Sequence, residues 1–475
     1  MSNALARFAH HGYCALLFLA ALTTQGHADT LSDTLGQTLQ ANNIPLVHVA
    51  IYVQDLTQTT PLLTVNASLA MNPASVMKLL TTYAALDILG PTYRWQTEVL
   101  RQGELRQGIL KGDLIFKGGG DPKITLENFW LMLRDLRQRG VKDIQGNLIL
   151  DRSYFELAEE DPAAFDGAPY KPYNLAPDAL LLDFRSQRVR LFVDPNASQP
   201  RLLVDPALNG QRVINQLRLT EEECGEWKDK IQIQREPRAV RFMGVYPRAC
   251  SEQTLNLVLQ DRDAYFADRF RELWTQLGGR WRGKVISAAT PSTAIAITTY
   301  PSSPLTEVIR DINKYSNNVM ARQLFLSLGA QTRGATATPQ KGMAALDTWL
   351  GSKGQNFLEL RLENGSGLSR NERISAQHLA WLLQNAYRAP YAPEFIASLP
   401  IVALDGTMRK RLRDDEVAGH AHIKTGSLKD VRALAGYVRD AHGRDVVVVF
   451  LINDLNAEAG RAAQDILLNW IFNRP

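Results

Sequence analysis

Residues 72–91 read Asn-Pro-Ala-Ser-Val-Met-Lys-Leu-Leu-Thr-Thr-Tyr-Ala-Ala-Leu-Asp-Ile-Leu-Gly-Pro. Asn72 suits a helix N-cap, Pro73 suits the first helical position, and Gly90-Pro91 is a stop signal. The stretch predicts a helix with Ser75 in its first turn. Residues three apart on a helix share a face, so the Lys78 amine can reach the Ser75 hydroxyl. The pairing has chemical use only if the lysine is uncharged. A serine hydroxyl needs an adjacent base to act as a nucleophile, and an exposed lysine, with a pKa of about 10.4, is protonated. Burial and a nearby positive charge can bring that value to roughly 7 to 8. Ser-x-x-Lys occurs once in the chain. Read alone, it also fits an exposed serine and lysine in an ordinary first turn.

Outward from this helix, Val47–Asp55 alternates like a half-buried strand, and Pro61–Val65 can pair with it. Leu31–Ala41 has helical leucine spacing. At the far end, His420–Gly426, Ala433–Arg439 and Asp445–Asn453 read as three strands, and Ala457–Phe472 as a closing helix. The two ends of the chain can therefore share one sheet. Helical patterns also cover Leu305–Leu328, Gly342–Leu350 and Ser375–Tyr387. From about Trp95 to Val285 the texture changes. Short strand-like runs (Asp113–Lys117, Asn147–Asp151, Val189–Val193, Arg212–Leu219) alternate with turn signals, with helices at Phe129–Arg139 and Asp263–Leu277.

Two further motifs follow the first in chain order. Ser316-Asn317-Asn318 starts a helical stretch. Its serine can relay a proton between a lysine and a leaving amine, and Asn318 can hold that lysine and a substrate amide together; helix capping is the alternative role. Ser369-Arg370-Asn371 fits the same pattern but lies in a Gly-rich turn. Lys424-Thr425-Gly426, followed by Ser427, sits on an expected strand, where an extended peptide can dock through backbone bonds. Lys424 and Thr425 can hold a terminal carboxylate, and Gly426 leaves room for close approach. The N–H groups of Ser427 and Ser75 can form an oxyanion hole. Lys424 can also depress the pKa of Lys78.

Composition bounds the rest. At 475 residues the chain exceeds one ordinary core. Its 53 basic and 49 acidic residues leave a formal charge of +4, too balanced to argue for nucleic acid. Residues 1–28 have a basic start, a short apolar run from Cys14 to Leu22 and small residues at Gly26 and Ala28. This is the pattern of a cleaved secretory signal, and it predicts a periplasmic protein. Two cysteines then remain, Cys224 and Cys250, which an oxidising compartment would pair; two buried free thiols are the alternative. His420-x-His422 lacks a third ligand with metal spacing, so a structural role is expected, with no metal and no cofactor.

The trio Ser75-x-x-Lys78, Ser316-x-Asn318 and Lys424-Thr425-Gly426 resembles the penicilloyl serine transferases. Asp121-Pro122 after three glycines, Asn364–Arg370 (Asn-Gly-Ser-Gly-Leu-Ser-Arg) and Leu404–Thr407 (Leu-Asp-Gly-Thr) are similar to the D-alanyl-D-alanine carboxypeptidase/endopeptidase type of low-molecular-mass penicillin-binding protein. The resemblance implies an α+β, β-lactamase/transpeptidase-like catalytic domain, an antiparallel sheet flanked by helices, at 29–93 and 292–475. A β-rich insertion of two domains is expected at 94–160 with 256–291 and at 161–255. It implies Ser75 as the acylated nucleophile, Lys78 as base, Ser316 and Asn318 as relay and amide ligand, and Lys424 and Thr425 as carboxylate ligands. Arg370 is expected near the pocket for the diaminopimelate end of a peptidoglycan stem peptide, with Glu160, Asp161 or Asp166 opposite. β-Lactams become covalent inhibitors. A β-lactamase and a non-catalytic cell-wall binding protein of the same fold are the competing readings. Peripheral membrane association and a homodimer both stay open.

Overall fold

The run Asp445–Asn453, with Val-Val-Val-Val-Phe-Leu-Ile at its centre, lacks the alternation of a strand that faces water on one side. Such a strand needs cover on both faces. In the computed structural model, which describes residues 31–475 apart from 32, 195, 209 and 335, Val446 through Ile452 are all buried. The strand is the centre of a five-stranded antiparallel sheet in the order Ala421–Leu428, Val431–Arg439, Asp445–Asn453, Val49–Asp55, Leu63–Val65. The two chain ends do share one sheet: Val49 pairs with Ile452 and Asp55 with Val446. The expected leader at 1–28 lies outside the described residues.

One face of the sheet, through Val446, Val448, Phe450 and Ile452, packs on Leu35 and Leu39 of the first helix and on Leu467, Leu468 and Ile471 of the closing helix Arg461–Asn473. Against the other face lies Ala376–Arg388, pinned by Tyr437 Oη donating to Leu383 O at 2.7 Å and Gln384 Nε2 to Gln54 Oε1 at 2.8 Å. Beneath it runs Lys78–Leu89, buried continuously from Lys78 to Leu86. A helix buried on every side must satisfy its polar groups internally, and Thr81 and Thr82 do so by donating to Gly365 O and Lys78 O.

The chain divides into two compact units. The first comprises the described residues up to Tyr93, together with 304–332 and 339–475; the second comprises Arg94–Ser303 and 333–338. Catalytic residues were expected to resume at 292, but the boundary falls later. Ile295–Pro301 pairs antiparallel with Gln96–Arg106 and is a strand of the second unit. Its alternation is weak and its residues are mostly half-exposed, which hides it from sequence inspection. Where the chain leaves the first unit for Arg94–Ser303 and returns, Leu305 N donates to Tyr93 O at 2.9 Å.

Among its described residues the second unit has two large hydrophobic clusters and a small one at Leu100, Ile115 and Ile149. A seven-stranded sheet and the helices Leu126–Gln138 and Arg262–Gln276 enclose Phe116, Phe129, Phe266, Phe270 and Trp274. Two three-stranded sheets, centred on Gln187–Phe192 and Ala239–Pro247, enclose Val189, Leu217, Phe242 and Tyr246. A Cys224–Cys250 disulfide closes a 26-residue separation beside this second core. In the chain-entropy account a loop of that size is stabilised by about 3 kcal/mol. Replacing both cysteines with serine should lower the denaturant midpoint of the transition that contains Trp227, read by its fluorescence, while the catalytic unit's transition stays put.

Candidate active site

Ser75 is held by the turn before it. Asn72 Oδ1 accepts the Ala74 N–H at 2.8 Å, Asn72 Nδ2 donates to Ser369 O at 2.9 Å, and the Asn72 backbone exchanges two hydrogen bonds with the Asn453 side chain. The expected first α-turn is a 3-10 turn, Ala74–Met77, and the α-helix begins at Lys78. Ala74 adopts φ 46°, a conformation costly for a residue with a side chain. The Asn72 network compensates for it and turns Ser75 towards the cleft.

Lys78 is fully buried. Its Nζ lies 2.9 Å from Ser75 Oγ, 2.7 Å from Asn318 Oδ1 and 2.5 Å from Ser366 O. Burial and, next, the positive charge of Lys424 hold its proton affinity well below the ordinary lysine range, with Glu372 acting in the opposite sense. A neutral amine has two N–H donors and one lone pair. Asn318 Oδ1 and Ser366 O can only accept, so they take the two donors and the lone pair faces Ser75. That geometry suits proton removal from the serine.

The helix expected over 305–328 is two helices, Leu305–Tyr315 and Asn318–Arg333, broken by Ser316 in the left-handed conformation (φ 56°, ψ 39°). The break presents Ser316 Oγ to Lys424 Nζ at 2.9 Å and buries Asn318 against Lys78. Lys424 Nζ also donates to Thr425 O at 2.7 Å. Burial pushes Lys424 down to about 7. Ahead of the break, Lys314 pairs with Asp405 at 2.6 Å, and Asp405 also accepts the Ile401 N–H at 2.7 Å. Thr407 Oγ1 sits 2.9 Å from Thr425 Oγ1. The Leu404–Thr407 run thus supports both distant motifs.

Two glycines mark where backbones converge on Ser75. A methyl on Gly367 (φ +80°) would lie 1.9 Å from Ala74 O and 2.9 Å from Ser75 N. One on Gly426 would lie 2.5 Å from Pro73 O and 3.0 Å from Ser75 N. The Lys-Thr-Gly strand, an edge strand of the sheet, therefore runs directly over the Ser75 turn, with Ser427 next along it and exposed. Ser75, Lys78 and Asn318 form one hydrogen-bonded set and Ser316 with Lys424 a second, with Gly426 packed against the Ser75 turn. Arg370 is exposed on the Asn364–Arg373 loop. The decoy Ser369 is buried and donates to Glu363 at 2.5 Å, which makes it part of a turn. His422 donates Nδ1–H to Ile396 O at 3.1 Å, a structural contact.

The family of this arrangement follows from comparison along the whole chain. The D-Ala-D-Ala carboxypeptidase 3 (S13) family matches residues 31–473. The chain belongs to that family. The D-alanyl-D-alanine carboxypeptidase DacB of Haemophilus influenzae is 27% identical over 458 residues, covering 91% of this chain and 96% of the relative. The D-alanyl-D-alanine carboxypeptidase of an Actinomadura species is 28% identical, covering 83% and 76%. The crystal structure of penicillin binding protein 4 from H. influenzae superposes with a TM-score of 0.77 at 26% identity, covering 92% and 99%. A predatory peptidoglycan endopeptidase of Bdellovibrio bacteriovorus shares the fold, with a TM-score of 0.50 at 16% identity over 89% and 92%. This S13 enzyme is a serine-type D-Ala-D-Ala carboxypeptidase of the low-molecular-mass penicillin-binding type.

Sequence inspection left two parts of the site without a role: the Ser366 carbonyl, a backbone group with no residue-type signal, and the buried carboxyl of Glu372. Gly367→Ala tests the convergence. The added methyl must displace the Ser75 turn, and a displacement of about 1 Å should cut carboxypeptidase turnover roughly a hundredfold. Steady-state kinetics with a D-Ala-D-Ala peptide, alongside a check that the fold is retained, would reveal it.

Proposed function

We propose that this chain is an exported DD-peptidase that cleaves the terminal D-Ala-D-Ala bond of peptidoglycan stem peptides, and D-Ala–diaminopimelate cross-links, through a Ser75 acyl-enzyme. One observation carries the reading: a fully buried lysine amine 2.9 Å from a half-buried serine hydroxyl, beside a second serine–lysine pair. Lys78 takes the Oγ proton as Ser75 attacks the scissile carbonyl. The N–H groups of Ser75 and Ser427 stabilise the resulting oxyanion. Collapse expels D-alanine, whose nitrogen takes up the proton through Ser316, and water then hydrolyses the ester. Lys424 and Thr425 hold the substrate's terminal carboxylate, and Arg370 stands towards the diaminopimelate end.

A β-lactam presents the same carboxylate and a strained amide. It should acylate Ser75 and remain there, since fast deacylation needs a placed and activated water. A β-lactam complex of the H. influenzae penicillin binding protein 4, 26% identical to this chain, supports that expectation. Residues 1–28 are read as the leader that directs the chain to the periplasm. Among the described residues no helix is long and apolar enough to cross a membrane. The two large clusters of the second unit are read as the cores of two inserted domains near 94–160 with 256–291 and 161–255, the first extended to Ser303 by the Ile295–Pro301 strand and also packing Leu180 and Leu182.

Labelled penicillin should form a long-lived adduct with the wild type and none with Ser75→Ala. Rapid turnover of the antibiotic would favour a β-lactamase, and no reaction at all a binding protein. Incubation with purified muropeptides should release D-alanine and split cross-links, both visible by mass spectrometry.

Lys78→Met keeps the buried volume and removes the base. Acylation should fall by roughly 10²- to 10⁴-fold with the fold intact. A loss of less than tenfold would remove Lys78 from that role.

A further inference from the structure

The loop Leu404–Thr407 is anchored on both sides. Asp405 accepts from Lys314 Nζ at 2.6 Å and from the Ile401 N–H at 2.7 Å. A methyl on Gly406 (φ +54°) would lie 2.6 Å from Lys314 O, so the turn packs directly on the end of the helix that precedes Ser316. The segment just before the loop is stitched to the edge strand. Ile423 N donates to Pro400 O at 2.8 Å, and Val402 N to Ala421 O at 2.9 Å. Met408, the next residue along, is fully buried. Thr407 stands apart from these anchors. It is exposed, and its hydroxyl meets that of the half-buried Thr425 at 2.9 Å. Among the described residues neither hydroxyl has a second protein partner. A loop already held by an ion pair, a buried methionine and several backbone bonds gains little from one more exposed neutral contact.

The chemistry of the pair suits an anion. In a bond between two hydroxyls one proton is used and the other has no protein acceptor, so the pair can offer two donors side by side. A carboxylate accepts through both of its oxygens, and hydrogen bonds to it are stronger than neutral ones. It can therefore displace the bond between Thr407 and Thr425 and take one proton from each. Positive charge is close by, because Lys424 Nζ donates to Thr425 O at 2.7 Å. The anchors of the loop hold the Thr407 hydroxyl in place before a ligand arrives, which leaves little ordering to offset the gain. We propose that Thr407 is a substrate-binding residue that donates, beside Thr425, to the terminal carboxylate of the leaving D-alanine, and so sets the preference of the enzyme for an ionised leaving group.

The proposal rests on the reading above that Lys424 and Thr425 hold the substrate's terminal carboxylate. Its test uses two substrates on the full chain: an acyl-D-alanyl thioester of thioglycolate, which ends in a carboxylate, and the carboxamide of the same thioester. The activated ester keeps the poorer substrate measurable. The readout is the ratio of kcat/KM for the carboxylate to kcat/KM for the carboxamide. Thr407→Val keeps the shape of the side chain and removes its hydroxyl. It should lower the ratio by roughly ten- to a hundredfold, the effect of losing one hydrogen bond to a charged group. Thr407→Ser, which keeps the hydroxyl, should hold the ratio near that of the wild type. A merely structural role would slow both thioesters together and leave the ratio where it was. A folded Thr407→Val whose ratio stays within about fivefold of the wild type overturns the proposal, and so does a Thr407→Ser that loses the ratio as far as the valine variant. If Thr407→Val does not fold, Thr407→Ala is read against the same threshold. A wild type with no preference for the carboxylate would instead refute the role given to Lys424 and Thr425, and one that hydrolyses neither thioester would refute the function proposed above.

Discussion

An amine held away from water is the constraint on which the catalytic unit depends. Lys78 has no solvent contact, so every polar atom it needs must come from the protein. Its polar partners come from three places: the turn just before it, the start of the Asn318–Arg333 helix, and a loop at Ser366. Bringing three backbones to one nitrogen leaves little room for regular geometry. Left-handed residues therefore cluster here, at Ala74, Ser316 and Gly367. Each costs something on its own, and each is sustained by a polar network around it, with Asn72 behind Ala74 and Lys314–Asp405 behind Ser316.

The sheet supplies the rigidity this arrangement needs. Its central strand is buried on both faces, so its register cannot slip by one residue without turning apolar side chains into polar surroundings. Asn453, at the end of that strand, holds Asn72. The placement of Ser75 is thereby referred to the most tightly packed strand in the molecule. Lys424 sits two strands away on the same sheet, so Ser75 and Lys424 share one frame.

Much of this was legible in the sequence because it rests on local signals. The stop at Gly90-Pro91, the strands at both chain ends and the three motifs all announce themselves by residue type. What was not legible depends on long-range contact. The break at Ser316 interrupts an otherwise continuous helical pattern, and only the demand of Lys424 and Lys78 for partners explains it. Gln96–Arg106 and Ile295–Pro301 pair across the whole insertion and carry mixed polar faces, so neither reads strongly alone. Glu372, an acid in a turn rich in Gly, Ser and Asn, reads as solvated; its burial is a property of the loop's path.

The point where the chain leaves the first unit and returns to it has a consequence for how such molecules can be built. The carbonyl of Tyr93 and the amide of Leu305 are hydrogen-bonded to each other, and on the far side Ser302 N is bonded to Trp95 O. Residues 94–303 are thus spliced in between two backbone groups that are hydrogen-bonded to each other. At the Tyr93–Leu305 hydrogen bond the ends of the 94–303 excursion are as close as the ends of a short turn. The closure entropy of such a connection grows only slowly with its length, so a long excursion adds little to the cost of holding these two ends together.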